Sequence, residues 1–316
     1  YETSISINSM GLRESEEVVG KKIDVGFVGD SFTFGYGVNY GERYSDELRR
    51  RDRKLVVASF GGRNGFTTPH YYLFMKNNPE LMPKTLVVGL FPWNDFRGDI
   101  SSHEFVYDVN GALVATKSTS KKVLDDGYLA GIRFEGNREP AWRTIARETN
   151  LGRTSLLAWS RIKRFLALRD ANTHDDEGGS TKDHDLGSAG HIKRKESIEF
   201  GVFDANAILA LEYLDKLNAL MKFNGGNLVV LYIPASYIVG DYMYFCNYSS
   251  GYSDEECRTL AGKDLLGKSL RNWFEQKNIH YVNPVSEFRK FEAKGKRAYY
   301  LKDGHWKPSG HALAGN

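Results

Sequence analysis

The chain has 316 residues, 41% hydrophobic and 26% charged, which suits a soluble globular protein with room for one large α/β domain or for a domain carrying an insertion. Its 43 Lys and Arg stand against 40 Asp and Glu, and that near balance gives no reason to expect a nucleic-acid partner. No apolar run reaches the ~18–20 residues that cross a bilayer and no signal pattern precedes the first strand, so membrane contact is expected only through an anchor absent from this sequence, which starts at Tyr1.

The first 22 residues are polar and mixed, with Ile5, Ile7, Met10 and Leu12 as docking points. Residues 23–28 form an apolar run that predicts a short buried strand. It feeds Gly29-Asp-Ser-Phe-Thr-Phe-Gly-Tyr-Gly-Val38, a glycine-punctuated turn that puts Ser31 just past the strand's carboxyl end. Residues 41–51 read as an amphipathic helix, and residues 55–58 as a second strand leading into a glycine-rich turn that contains Gly65. Thr67 or Thr68 then caps a helix bearing Tyr71, Tyr72, Phe74 and Met75. The third strand, residues 85–91, is almost continuously apolar, as for a parallel strand covered on both faces, and ends in Pro92-Trp-Asn-Asp95.

Over residues 96–200 the strand-helix alternation lapses, and this region reads as an insertion or cap. Asn110-Gly111 between two apolar stretches predicts a hairpin, residues 151–168 an amphipathic helix, and residues 170–195 a polar, mobile tract. The histidines and aspartates from His174 to His191 are irregularly spaced, so no metal is expected. No cofactor is expected either. Gly35-Tyr-Gly37 opens like a dinucleotide fingerprint but position 40 is Tyr, and no Gly-Lys-Ser/Thr phosphate loop is present.

Alternation resumes with a helix over 204–223, a strand over 227–233, a turn at Pro234, a helix over 263–277 and a strand over 279–282. Cys246 and Cys257 lie in a Tyr-, Ser- and Gly-rich segment that reads as a loop. They are either a disulfide, which implies an oxidising compartment, or two unrelated thiols. Five strands separated by helices predict a three-layer α/β architecture, a doubly wound, mostly parallel sheet, in a single domain over 1–316 with 96–200 inserted in it.

A serine hydroxyl needs a base to take its proton, and the base needs a third group to fix its tautomer. His305 stands out among eight histidines because it lies in a Gly- and Pro-bounded loop with Asp303 two residues before it. Acyl transfer also needs donors where the oxyanion forms. Ser31 N–H, Gly65 N–H and the Asn94 side chain are the candidates, since all follow strand ends that reach one edge of such a sheet. Trp93, Arg97 and Trp306 flank the expected site as substrate contacts, with packing or solvation the competing reading. Asp30, although next to Ser31, is expected to hold the turn.

Gly29-Asp-Ser31, Gly65, Asn94-Asp95 and Asp303-Gly-His305 together resemble the four ordered blocks of the SGNH/GDSL hydrolase superfamily. Ile7-Asn-Ser-Met-Gly-Leu-Arg13 and the segment from Asp303 to His311 are similar to bacterial members associated with cell-surface polysaccharide. The resemblance implies a flavodoxin-like sheet and a serine esterase: Ser31 as nucleophile, His305 as base and acid, Asp303 as its orienting carboxylate, and Ser31, Gly65 and Asn94 as the oxyanion hole. It implies an acylated carbohydrate, most simply an O-acetyl ester, as substrate and an extracytoplasmic location. An O-acetyltransferase using the same site and a glycan-binding protein with an inactive site are the alternatives. Two departures are visible. Pro92 stands where the third block usually has glycine, and the two-residue spacing of Asp303 and His305, followed by Trp306, resembles the alginate O-acetyltransferase type.

Overall fold

A computed structural model describes residues 3–62, 66–96, 103–107, 113–118, 203, 205–249 and 252–316. All belong to the unit made of Tyr1–Asp126 and His191–Asn316, whereas Gly127–Gly190 forms a second unit outside the described residues. The helix expected over 151–168 and the histidine-rich tract therefore lie outside the described residues.

In chain order, the Val- and Phe-rich strand β1 (Val25–Gly29) runs into the one-turn helix α1 (Ser31–Phe34), and helix α2 (Tyr44–Arg51) follows. Strand β2 (Val57–Ser59) and helix α3 (Thr68–Asn77) come next, with Thr67 at the helix N-cap and Pro69 in its first turn, where a missing N–H costs nothing. Strand β3 (Thr85–Leu90) ends at the short helix α4 (Pro92–Asp95). Strands β4 (His103–Tyr107) and β5 (Leu113–Ser118) pair antiparallel, the hairpin expected around Asn110-Gly111, although the turn itself lies outside the described residues.

The long helix α5 (Ala205–Phe223) leads to strand β6 (Asn227–Tyr232) and the short helix α6 (Ser236–Val239). The cysteine segment is not the loop its composition predicted. Phe245–Ser249 makes a wide helical turn, and α7 (Asp254–Leu260) begins at a reciprocal cap between Ser253 and Glu256. Cys246 and Cys257 are buried and bonded to each other, with Cα atoms 5.9 Å apart. Helix α8 (Leu265–Gln276), strand β7 (His280–Val282), helix α9 (Val285–Glu292) and helix α10 (Pro308–Ala314) complete the described elements.

The main sheet has the order β2-β1-β3-β6-β7 and every pairing in it is parallel. Right-handed crossovers place α3, α5 and α8 on one face and α2, α9 and α10 on the other. Side chains agree: Tyr72 of α3 meets Tyr213 of α5 at 5.7 Å, while Tyr44 of α2 stacks on His311 of α10 at 5.9 Å between ring centroids. Leu86, Val88, Leu90 and Val230 share one face of the sheet and are fully buried, while Leu231, on the opposite face, is 4% exposed, so helices cover β3 and β6 on both sides.

The chain leaves β1 towards β2 and leaves β3 in the opposite direction, so the order reverses between these two strands. A crevice forms at the carboxyl ends of the strands where such a reversal occurs. Ser31 and the Pro92–Asp95 helix sit at those two ends.

Candidate active site

Ser31 is the first residue of α1, directly after β1, and Asp30 caps that helix by accepting the Phe32 N–H at 2.9 Å. The turn is tight because the segment after β2 presses against it. Gly62 N–H donates to Gly29 O at 2.7 Å, and a Cβ on Gly61 would lie 2.3 Å from the Phe34 nitrogen, so only glycine fits at position 61.

His305 arrives from the far end of the chain on a reverse turn. Tyr299 and Trp306 pair across it, Tyr300 N–H donates to His305 O at 2.9 Å, and Lys307 N–H donates to Ala298 O at 2.8 Å. Gly304 adopts a left-handed φ of 75° and faces the Phe245 ring, where a Cβ would lie 2.3 Å from a ring carbon. The neighbour of Cys246 thus backs the loop that carries His305. The Tyr299 hydroxyl pins the base of the same loop by donating to Pro234 O at 2.8 Å, just beyond β6.

This loop brings His305 Nε2 to 2.8 Å from Ser31 Oγ. Asp303 Oδ1 accepts the His305 backbone N–H at 2.8 Å and lies 3.3 Å from Nδ1. With a proton on Nδ1 facing the carboxylate, Nε2 keeps a lone pair for the Ser31 hydroxyl, the tautomer that a base requires. The two-residue spacing therefore lets one carboxylate oxygen hold both the loop and the ring. Phe32 and Tyr36 flank the imidazole, with centroids 4.9 and 4.8 Å from it. Neither ring was singled out from the sequence, although Gly35-Tyr-Gly37 marks a turn there.

Pro92 opens α4 at a position where no N–H is needed, and the helix carries Asn94 towards β1. Asn94 Nδ2 donates to Asp30 Oδ2 at 2.6 Å, so one amide hydrogen is committed to Asp30 and the second remains on the same nitrogen. Asp30 therefore holds the turn as expected and also fixes Asn94, a contact the sequence did not reveal.

Asp30 is fully buried, and burial pushes its carboxyl up to about 6 despite the hydrogen bonds from Phe32 and Asn94. Asp95 accepts the Phe91 N–H at 2.8 Å, and its carboxyl is pushed well above the usual carboxylate range by burial and then by the charge on Asp30.

Two expected substrate contacts are corrected by burial. Trp306 is 0% exposed and packs against Phe32, Tyr44, Phe288 and His311, so it is a core residue under the site. Trp93 is likewise buried and donates its indole N–H to the Tyr237 hydroxyl at 2.8 Å, beneath the α4 turn. Gly65 and Arg97 lie outside the described residues. Among the described residues no group of three His, Cys, Asp or Glu side chains could hold a metal ion, and no helix is long and apolar enough to cross a membrane.

No family model and no curated protein matches the chain. Similar solved structures include a member of the lipolytic G-D-S-L family from Veillonella parvula, at 10% identity and TM-score 0.38 over 93% of this chain and 94% of that one. Another is the acetylxylan esterase Axe2 from Geobacillus stearothermophilus, at 13% identity and TM-score 0.42 over 94% and 92%. A third is the acetyl xylan esterase AlAXEase, at 11% and 0.39 over 93% and 96%. At such identities and scores the likeness carries no argument about activity. By its parallel sheet, its Gly-Asp-Ser turn after β1 and its Ser31–His305–Asp303 row, the chain resembles the SGNH/GDSL hydrolases.

Proposed function

We propose that the protein is a metal-independent serine ester hydrolase that removes small acyl groups, chiefly O-acetyl, from a carbohydrate. The observation that carries the reaction class is the 2.8 Å approach of His305 Nε2 to Ser31 Oγ, with Asp303 behind the imidazole. His305 takes the Ser31 proton as Oγ attacks the ester carbonyl, and Ser31 N–H, Gly65 N–H and the second Asn94 amide hydrogen receive the developing oxyanion. Collapse breaks the bond to the sugar oxygen, which leaves with the proton from His305. Water, deprotonated by His305, then attacks the acyl-enzyme and releases the acid.

The sugar is supported by the flanking segments of polysaccharide type, residues 7–13 and 303–311. The buried Cys246–Cys257 disulfide supports an extracytoplasmic location, because reducing compartments keep such thiols open. The deciding experiment measures acetate release from aryl acetates and acetylated glycans. Wild type should turn over, and Ser31→Ala, folded alike by circular dichroism, should lose at least about 1,000-fold in kcat. Equal rates for the two proteins sink the proposal.

Transfer to a sugar hydroxyl is the second reading, favoured by the Asp303-Gly-His-Trp306 spacing. An acceptor glycan present during turnover separates the two, since acetylated product means transfer and free acetate alone means hydrolysis.

A further inference from the structure

The two rings that flank His305 differ in exposure. Phe32 is 2% exposed and supports the imidazole from the core, whereas Tyr36, at the same distance from it, is 39% exposed. An exposed aromatic beside a nucleophile and its base is ordinarily free to move. The backbone that carries Tyr36 is held instead.

Its own N–H donates to Ser31 O at 2.9 Å, so its backbone is tied to the nucleophile's residue. The next carbonyl, Gly37 O, accepts the Tyr300 hydroxyl at 2.8 Å, and Tyr300 N–H donates to His305 O at 2.9 Å. Arg13, from the amino-terminal segment, donates to Gly35 O and Val38 O at 2.6 Å each. The turn is thereby fixed to Ser31, to the His305 loop and to a buried guanidinium.

A ring carried on a backbone fixed in advance, and resting 4.8 Å from the His305 ring, leaves a ligand less freedom to remove. Its outer face is apolar and its hydroxyl is polar, a combination that matches a pyranose, whose axial C–H bonds form an apolar face rimmed by hydroxyls. Resting on the esterase reading above, we infer that Tyr36 is the platform on which the sugar bearing the scissile ester stacks. It sets specificity for a glycan over a simple alkyl ester.

The test uses the full chain with two non-aromatic substrates, O-acetylated xylo-oligosaccharides and ethyl acetate, with acetate release as the readout. Tyr36→Ala should raise KM for the oligosaccharide at least tenfold while kcat stays within about threefold. Its loss of kcat/KM on ethyl acetate should be at least fivefold smaller. Tyr36→Phe and Tyr36→Trp should return the oligosaccharide KM to within threefold of wild type, because both keep a ring. Equal losses on the two substrates would reduce Tyr36 to packing against His305, and an unchanged oligosaccharide KM would remove it from the site; either overturns the inference while wild-type hydrolysis and its dependence on Ser31 stand. A wild type that cleaves neither substrate, or a Ser31→Ala variant as active as wild type, overturns the esterase reading and the inference together.

Discussion

Two buried polar clusters flank the start of the chain's first long crossover, and they are built in opposite ways. Around Arg43, guanidinium groups and carboxylates meet directly. Its guanidinium meets Glu14 at 2.9 Å and Asp46 at 2.8 Å, Arg49 meets the same two carboxylates at 2.8 and 2.6 Å, and the side chains of Arg43 and Glu14 are fully buried. Around Asp30, the hydrogen bonds come from an amide N–H and an asparagine, and the neighbouring acid is Asp95. A paired network tolerates burial because attraction offsets desolvation, and it ties the amino-terminal segment to α2. A carboxyl held without a cation is costly for the fold, and it persists here beside Ser31, where it fixes the side chain of Asn94. One cluster serves stability and the other serves the site.

The largest effect that can break this contrast is on the fold. Arg43→Met removes the fully buried cation of this network and leaves Glu14 and Asp46 to the partly exposed Arg49, which should cost about 3 kcal/mol in urea unfolding, with kcat of the folded fraction within threefold. A comparable loss of kcat in the folded fraction would merge the two clusters into one.

Asp30→Asn attacks the other side. It takes away the acceptor that holds Asn94 and should lower kcat about 100-fold, while unfolding free energy at pH 8 holds or rises because no charge has to be buried. Stability and rate moving down together would make Asp30 a purely structural cap.

A third measurement sharpens the comparison through pH. His311 is fully buried, its Nδ1 accepts the Tyr44 N–H at 3.3 Å, and burial together with the nearby Arg43 charge pushes its imidazole down to about 3. The unfolded chain binds a proton below about pH 6.5 that the folded chain refuses, so stability falls as pH drops from there towards 3. Relative to His311→Asn, wild type should lose about 1.4 kcal/mol per pH unit in that window. Parallel curves would show that the imidazole titrates freely.

The smallest effect serves as the control. Lys277 and Asp215 pair at 2.8 Å with both side chains about two-fifths exposed, and Lys277→Ala should change stability by less than about 1 kcal/mol. A larger change would mean that exposure is a poor guide to which pairs hold this fold.

The strands were legible because burial on two faces writes uninterrupted apolar runs into β1, β3 and β6. Ser31, His305 and Asp303 were legible because each sits in a short glycine-bounded turn whose chemistry is local. What escaped was set by packing across elements. Trp306 is surrounded by side chains from α1, α2, α9 and α10, so its burial is invisible in its own neighbourhood of sequence. The Asp30–Asn94 bond joins residues 64 apart. Helix α7 was missed for a different reason: the Ser253 and Glu256 cap signals were present, but the Tyr-, Ser- and Gly-rich composition around them outweighed them.

Ser31 and His305, the proposed nucleophile and base, are separated by 274 residues, and the sheet between them is parallel throughout. Pairings of that kind close only after long loops have been ordered, so they form late and slowly on the folding path. Ser31 can be made, turned and capped while His305 is still unplaced, and during that interval its hydroxyl has no base. On the proposed mechanism, a half-folded chain therefore cannot attack the esters around it. Reactivity itself becomes a report that the last long-range contact has formed, and recovery of serine labelling should lag behind recovery of helical signal during refolding.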